Sequence, residues 1–205
     1  MPDLERACDR LTYLHISHNQ ISHIPVGYFS NCQALTTLYM HNNLLTSLSP
    51  FSEIGGSITF LYLRSNKINS VNETDLKNLH GLKTLDLGYN QMTSFNVKAF
   101  LNTPSLVSLN LMVNQLTTFE SPYKWCMDIT CQDLHIVLNG NPVICGPNWC
   151  WAKRYPSLIT IAIDNCLGNS WENTTLDHLA CGGKVFNYYL ITQAYYQSFS
   201  LILIK

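Results

Sequence analysis

The chain has 205 residues and a formal net charge of −1, from 12 basic and 13 acidic side chains. Charged residues make up only 12% of it, about half the usual share, and its polarity comes instead from Asn, Ser, Thr and Tyr. That balance excludes the clustered Lys and Arg of a nucleic-acid surface and the basic run of a membrane-surface segment.

Six asparagines recur at a near-constant step: Asn19, Asn43, Asn66, Asn90, Asn114 and Asn141, spaced by 24, 23, 24, 24 and 27 residues. A period of that length is the mark of a solenoid, in which each repeat contacts only its neighbours. Apolar residues hold fixed offsets eight, five and three positions before each rung. In chain order these are Leu11, Leu14, Ile16; Leu35, Leu38, Met40; Ile58, Leu61, Leu63; Leu82, Leu85, Leu87; and Leu106, Leu109, Leu111. The sixth set, Asp133, Ile136 and Leu138, is degenerate. Each L-x-L pair alternates in and out, so a short strand is expected there.

After each of the first five rungs come two more apolar positions: Ile21 and Ile24, Leu45 and Leu48, Ile68 and Val71, Met92 and Phe95, Leu116 and Phe119. Phe29, Leu76 and Phe100 recur further on. This return half is less regular and predicts loops and short 3₁₀ turns. The asparagine itself has a physical role. A coil that bends sharply after its strand leaves backbone groups inside, and one amide supplies both donors and acceptor to satisfy its own turn and the next coil. Leaving such a group unpaired costs about 1–3 kcal/mol.

The pattern L-x-x-L-x-L-x-x-N-x-L-x-x-L-x-x-x-x-F resembles the extracellular leucine-rich repeat family over residues 11 to about 141. The resemblance implies an α/β solenoid, a horseshoe with a parallel sheet on its concave face and an irregular convex side. The expected organisation is repeats over 1–141, a cysteine-rich cap over 142–181 and a tail over 182–205.

Eight cysteines, six of them in the last third, together with the sequons at Asn72 and Asn173, favour an oxidising compartment and an extracellular place. Cys8 and Cys32 precede the first Leu of consecutive repeats by three residues and are read as small buried hydrophobes. Equivalent positions in adjacent coils stand about 4.8 Å apart, which also permits a bridge. Cys126 and Cys131 are read as closing a local loop. The run from Asn141-Pro142 through Cys145, Cys150, Cys166 and Cys181 resembles the family's C-terminal cysteine cap, with C-x₄-C in place of the usual C-x-C. The family's pairing would be Cys145–Cys166 and Cys150–Cys181; by count alone four cysteines allow three pairings. A zinc site on Cys126, Cys131, Cys145 and Cys150 is the competing reading, and the cap explains more residues.

Ile159, Ile161 and Ile163 alternate with Thr160, Ala162 and Asp164, as in a half-buried strand. No apolar leader follows Met1, so the expected chain is part of a longer receptor-like protein. The tail to Lys205 is apolar but interrupted, and is read as no membrane anchor; membrane attachment would need it, or a later segment, to serve as one.

Outward positions form columns along the sheet. Four before each rung stand His15, Tyr39, Tyr62, Asp86, Asn110 and Val137; two before stand Ser17, His41, Arg64, Gly88, Met112 and Asn139. Tyr13, Phe60 and Tyr89 lie nearby. Aromatics beside His and Arg are interface chemistry, so Tyr13, His15, Tyr39, His41, Phe60, Tyr62, Arg64, Asp86 and Tyr89 are the expected partner contacts. No hydrolase, zinc-protease or phosphate-loop motif occurs, and neither cofactor nor metal is expected. The expected function is a non-catalytic recognition or adhesion module, secreted or on the cell surface, that binds a protein or glycan. The alternative is a structural matrix protein or a non-catalytic subunit.

Overall fold

The computed structural model describes residues 8–121, 134–144 and 159–163. Among them, seven short strands form one parallel sheet: β1 (Tyr13–His15), β2 (Thr37–Tyr39), β3 (Phe60–Tyr62), β5 (Thr84–Asp86), β7 (Ser108–Asn110), β8 (Leu134–Val137) and β9 (Ile159–Ala162). Spatial order follows chain order, as it must when every coil stacks on the one before. The register is the repeat itself: Leu14, Leu38, Leu61, Leu85, Leu109 and Ile136 stand side by side. Ile136 of the degenerate sixth set therefore keeps its place in the sheet. β9, from the segment assigned to the cap, pairs in parallel with β8 and extends the same sheet.

A second, two-stranded sheet joins β4 (Ser70–Val71) to β6 (Ser94–Phe95) on the return side. Among the described residues the remaining returns are 3₁₀ turns, at Cys8–Arg10, Ser49–Ser57 and Val97–Asn102, and irregular chain. Phe29 and Phe51 stack there at 6.0 Å between rings, and both are fully buried. Glu53 ties two coils together: its carboxylate accepts the N–H groups of Gly27 and Phe29, at 2.8 and 3.3 Å.

The core lies between the sheet and the returns. Leu38, Met40, Leu45, Leu48, Leu61, Leu63, Leu85, Leu87, Leu109 and Leu111 are all buried, as the period requires. Through this core runs the asparagine ladder. Asn90 is typical. Its Oδ1 accepts the Ile68 N–H of the preceding coil at 3.0 Å, and its Nδ2 donates to Leu63 O at 3.1 Å and Leu87 O at 3.0 Å. Asn43, Asn66, Asn114 and Asn141 repeat the pattern, each accepting from the preceding coil and donating to both. Asn19 is exposed and donates to carbonyls of its own coil, Ile16 and Ser17.

The residue before every rung has positive φ: His18, Asn42, Ser65, Tyr89 and Val113 at 50–57°, and Gly140 at 72°. The turn demands it, because only a left-handed residue there swings the following Asn inward. L-residues enter this region at a cost, and β-branched Val113 most of all.

The two N-terminal cysteines depart from their reading as buried thiols. Cys8 and Cys32 form a disulfide, with Cα atoms 4.4 Å apart and both residues buried. The physical reason is the stacking: equivalent positions of adjacent coils meet at bridging distance, and both face inward. Cys126, Cys131, Cys145, Cys150, Cys166, Cys181, Asn173 and the tail lie outside the described residues. Asn72 lies within them, exposed just after β4. Its backbone N–H and Nδ2 both donate to Asp75 Oδ2.

Candidate functional site

The outward residues of β1–β3 form one aromatic cluster. Strand alternation lifts Tyr39 and Tyr62 off the sheet at adjacent register positions, and their rings stack at 4.5 Å and 8°. Tyr13 and His15 of β1 each pack against Tyr39 at 5.4 Å. His41 lies 5.7 Å from His15 and 5.1 Å from His18. Ser17 Oγ and His41 Nδ1 are 2.8 Å apart, and Asn42 Nδ2 is 3.3 Å from His18 Nε2. Much of this surface is open: Tyr13 is 53% exposed and Phe60, in the edge column with it, 38%.

Arg64 begins a second group. Its guanidinium lies 4.0 Å above the Tyr89 ring, and Nη1 reaches Met112 Sδ at 3.6 Å. Arg64 and Met112 belong to the same column, two coils apart, and the intervening position is Gly88. Any side chain there would obstruct this reach: a Cβ on Gly88 would stand 3.1 Å from Met112 Cγ and 3.2 Å from Asp86 Oδ1. Tyr89, in the left-handed position before Asn90, offers its face to the cation.

Asp86 departs from the expected open contact. It is 6% exposed, and Oδ1 accepts the Gly88 N–H at 2.9 Å. Asn110 folds back the same way onto the Met112 N–H, at 3.0 Å. These short side chains satisfy their own turn rather than rise from the sheet.

Burial governs the protonation of the site. It pushes the Tyr62 phenol up to about 12, with neighbouring Tyr39 and Asp86 adding to the shift. Burial and then Tyr13 raise Tyr39 as well, so both hydroxyls keep their protons at neutral pH. Burial first, then His18, His15 and Arg64, hold His41 below the usual imidazole range. Asp86 is raised by burial, against the opposing pull of the Gly88 N–H and Arg64. On β8, burial lowers His135.

The structure thus brings Tyr13, His15, Tyr39, His41 and Tyr62 together, pairs Arg64 with Tyr89, sets Phe60 at the edge and covers Asp86. Sequence reasoning passed over His18, Ser17 and Met112 as site residues. The signal for His18 was its place directly before a rung, equivalent to Tyr89. The Ser17–His41 pair resembles the start of a nucleophile–base relay, but among the described residues no carboxylate is hydrogen-bonded to His41 to orient it. Among the described residues no group of three or more His, Cys, Asp or Glu could hold a metal ion.

A leucine rich repeat family model matches residues 9–53 and 57–116, together just over half of the chain. The chain belongs to the leucine-rich repeat family. The matched span ends before the cysteine-rich segment. Leucine-rich repeats and immunoglobulin-like domains protein 1 of Homo sapiens is 33% identical over 91 residues, 44% of this chain and 8% of that protein. Protein 3 of the same name, also from Homo sapiens, is 34% identical over 77 residues, 38% of this chain and 7% of that protein. The chain thus spans less than a tenth of the length of either relative. Among solved structures, a chain of the octameric complex of Latrophilin 3, Unc5D and FLRT2 has the same fold, with a TM-score of 0.71 at 22% identity. That match covers 84% of this chain and 54% of the other. The leucine-rich repeat assignment fixes the scaffold, and the aromatic–histidine cluster is what this chain places on it.

Proposed function

We propose that this leucine-rich repeat chain is a non-catalytic recognition module, and that it binds a protein partner through the outward face of β1–β3. The observation that carries the reading is the continuous ring cluster of Tyr13, His15, Tyr39, His41 and Tyr62, flanked by Arg64 laid on Tyr89. Rigid aromatics and Arg supply contact area at low entropic cost, with polar tips that fix orientation. Asp86 acts from below, setting the turn that carries Gly88. Relatives combine this repeat with immunoglobulin-like domains, and a horseshoe of this fold occurs in an assembly with other proteins; both support the reading.

An extracellular place goes with it. The Cys8–Cys32 bridge belongs to an oxidising compartment. Asn72, exposed on the return side after β4, is a glycan acceptor that leaves the strand face uncovered, and Asn173 is a second. The four cap cysteines, Cys145, Cys150, Cys166 and Cys181, are oxidised in this reading. Non-reducing peptide mapping tests that, and free thiols with bound zinc would refute it.

The binding test is a screen of the chain against a panel of secreted and cell-surface ectodomains and glycans. Wild type is compared with Tyr39→Ala/Tyr62→Ala/Arg64→Ala. A saturable protein partner lost in the triple variant is expected. Equal capture of every partner by both chains would reject the reading, and a partner that is only glycan would redirect it.

A further inference from the structure

Three imidazoles meet at the β1–β2 end of the strand face: His15 and His18 lie 5.7 and 5.1 Å from His41. Tyr13 on β1 and Tyr39 on β2 pack against them and Arg64, just after β3, acts on His41; Tyr62 on β3 stacks behind Tyr39, and Asp86 on β5 lies beyond Tyr62. Besides the phenols, two of these are ionisable. Arg64 is a permanent cation, and Asp86 is buried with one oxygen committed to the Gly88 N–H. The three outward columns from β1 to β8 hold no other Asp, Glu, Lys or Arg among the described residues. Protonation therefore adds positive charge to a face with no exposed acid to answer it, and each imidazolium opposes the next.

We propose that this face receives an acidic segment of a partner protein, and that its affinity rises as His15, His18 and His41 take up protons. The inference rests on the strand face being the binding surface, and adds the chemistry of what it binds. By linkage, a ligand carboxylate that favours the imidazolium form must bind more tightly where that form is populated. Burial is the first cause of the lowered proton affinity of His41 in the free chain; the repulsion from His18, His15 and Arg64 that follows it is the part that ligand carboxylates relieve. A protein segment fits better than a nucleic acid or sulfated glycan. Those polyanions need rows of fixed cations, and here one permanent cation stands beside stacked phenols suited to side chains.

The test measures binding of the full chain to a decaglutamate peptide and its decaglutamine counterpart. Conditions are about pH 7.5 and about pH 5.5, either side of the ordinary histidine range. Decaglutamate is expected to bind about tenfold tighter at the lower pH, the sum of three exposed charge pairs. The gain should vanish in His15→Gln/His18→Gln/His41→Gln and under high salt. Proton NMR titration of the wild-type imidazoles is the second readout, and the peptide should raise their apparent pKa values. Unchanged or weaker binding on acidification, equal binding of decaglutamine, or imidazole titrations indifferent to the peptide would overturn the proposal. Tighter acid binding of a heparin fragment or an oligonucleotide than of decaglutamate would overturn the assignment to protein. Failure here with the triple Tyr39/Tyr62/Arg64 effect intact would leave the strand-face reading standing.

Discussion

The two halves of the strand face share a backbone and differ in almost everything placed on it. Across β1–β3, long aromatic side chains rise from the sheet and pack on one another. Across β5 and β7, Asp86 and Asn110 at the same positions bend down to their own turns, Gly88 has no side chain, and the surface is low. From Asn43 onward the asparagine rungs beneath are interchangeable in both halves, each with its bonds to two coils. The difference teaches that the ladder holds the scaffold while the outward columns are free to vary. Arg64 links the halves by crossing the gap at Gly88 to reach Met112.

The largest expected effect strikes what the halves share. Asn90→Ala leaves the Ile68 N–H and the Leu63 and Leu87 carbonyls without this partner. A loss of roughly 3 kcal/mol or more is expected from the urea midpoint. Asn19→Ala, exposed and bonded only to its own coil, should cost under about 1 kcal/mol.

The next effect separates the halves. Tyr39→Ala/Tyr62→Ala/Arg64→Ala should weaken partner binding about a hundredfold, as expected when interface anchors are removed. Ser108→Ala/Asn139→Ala, on the low half, should change the dissociation constant by no more than about twofold. A larger loss from the second pair would move the binding surface to β7 and β8.

Smaller effects come from the residue before each rung. Gly140→Ala should destabilise by about 1–2 kcal/mol, because φ is +72° and the added Cβ would sit 2.9 Å from Val113 Cγ2. Val113→Asn should stabilise by about 0.5–1 kcal/mol, since Asn enters the left-handed region more readily than a β-branched residue. Thermal unfolding measures both.

The smallest effect is pH dependence, and its sign differs between the halves. His41 binds its proton less readily folded than unfolded, so its stability contribution is present above about pH 6.5 and is lost as pH falls below it. Asp86 binds its proton more readily folded, so its contribution is greatest at low pH and is lost as pH rises from about 4 through the raised folded value. Stability-against-pH curves of His41→Gln and Asp86→Asn should each flatten in its own window and not in the other.

Most of the scaffold was legible because a solenoid writes its contacts into a period. The core positions, the strands and the role of the asparagines all follow from one repeated offset. What was not legible depends on pairs of coils or on individual side chains. Cys8 and Cys32 read as buried hydrophobes, with a bridge permitted by the coil spacing, and only the inward direction of both side chains decides for the bridge. Asp86 and Tyr62 share a column by period, yet one folds down and the other stands, because only a short acceptor can reach its own turn. The left-handed residue before each rung has no common identity, being His, Asn, Ser, Tyr, Val or Gly, so no motif announces it. For the site, the cluster members were legible as outward positions, while the His15–His18–His41 meeting and the Arg64 crossing needed distances.

If recognition lives on the β1–β3 face, as proposed, it can be removed without touching the ladder. The direct measurement pairs two readings on Tyr39→Ala/Tyr62→Ala/Arg64→Ala: its affinity for the partner found with wild type, and its urea midpoint. Lost binding with a midpoint close to wild type is expected. Wild-type affinity in the triple variant would contradict it.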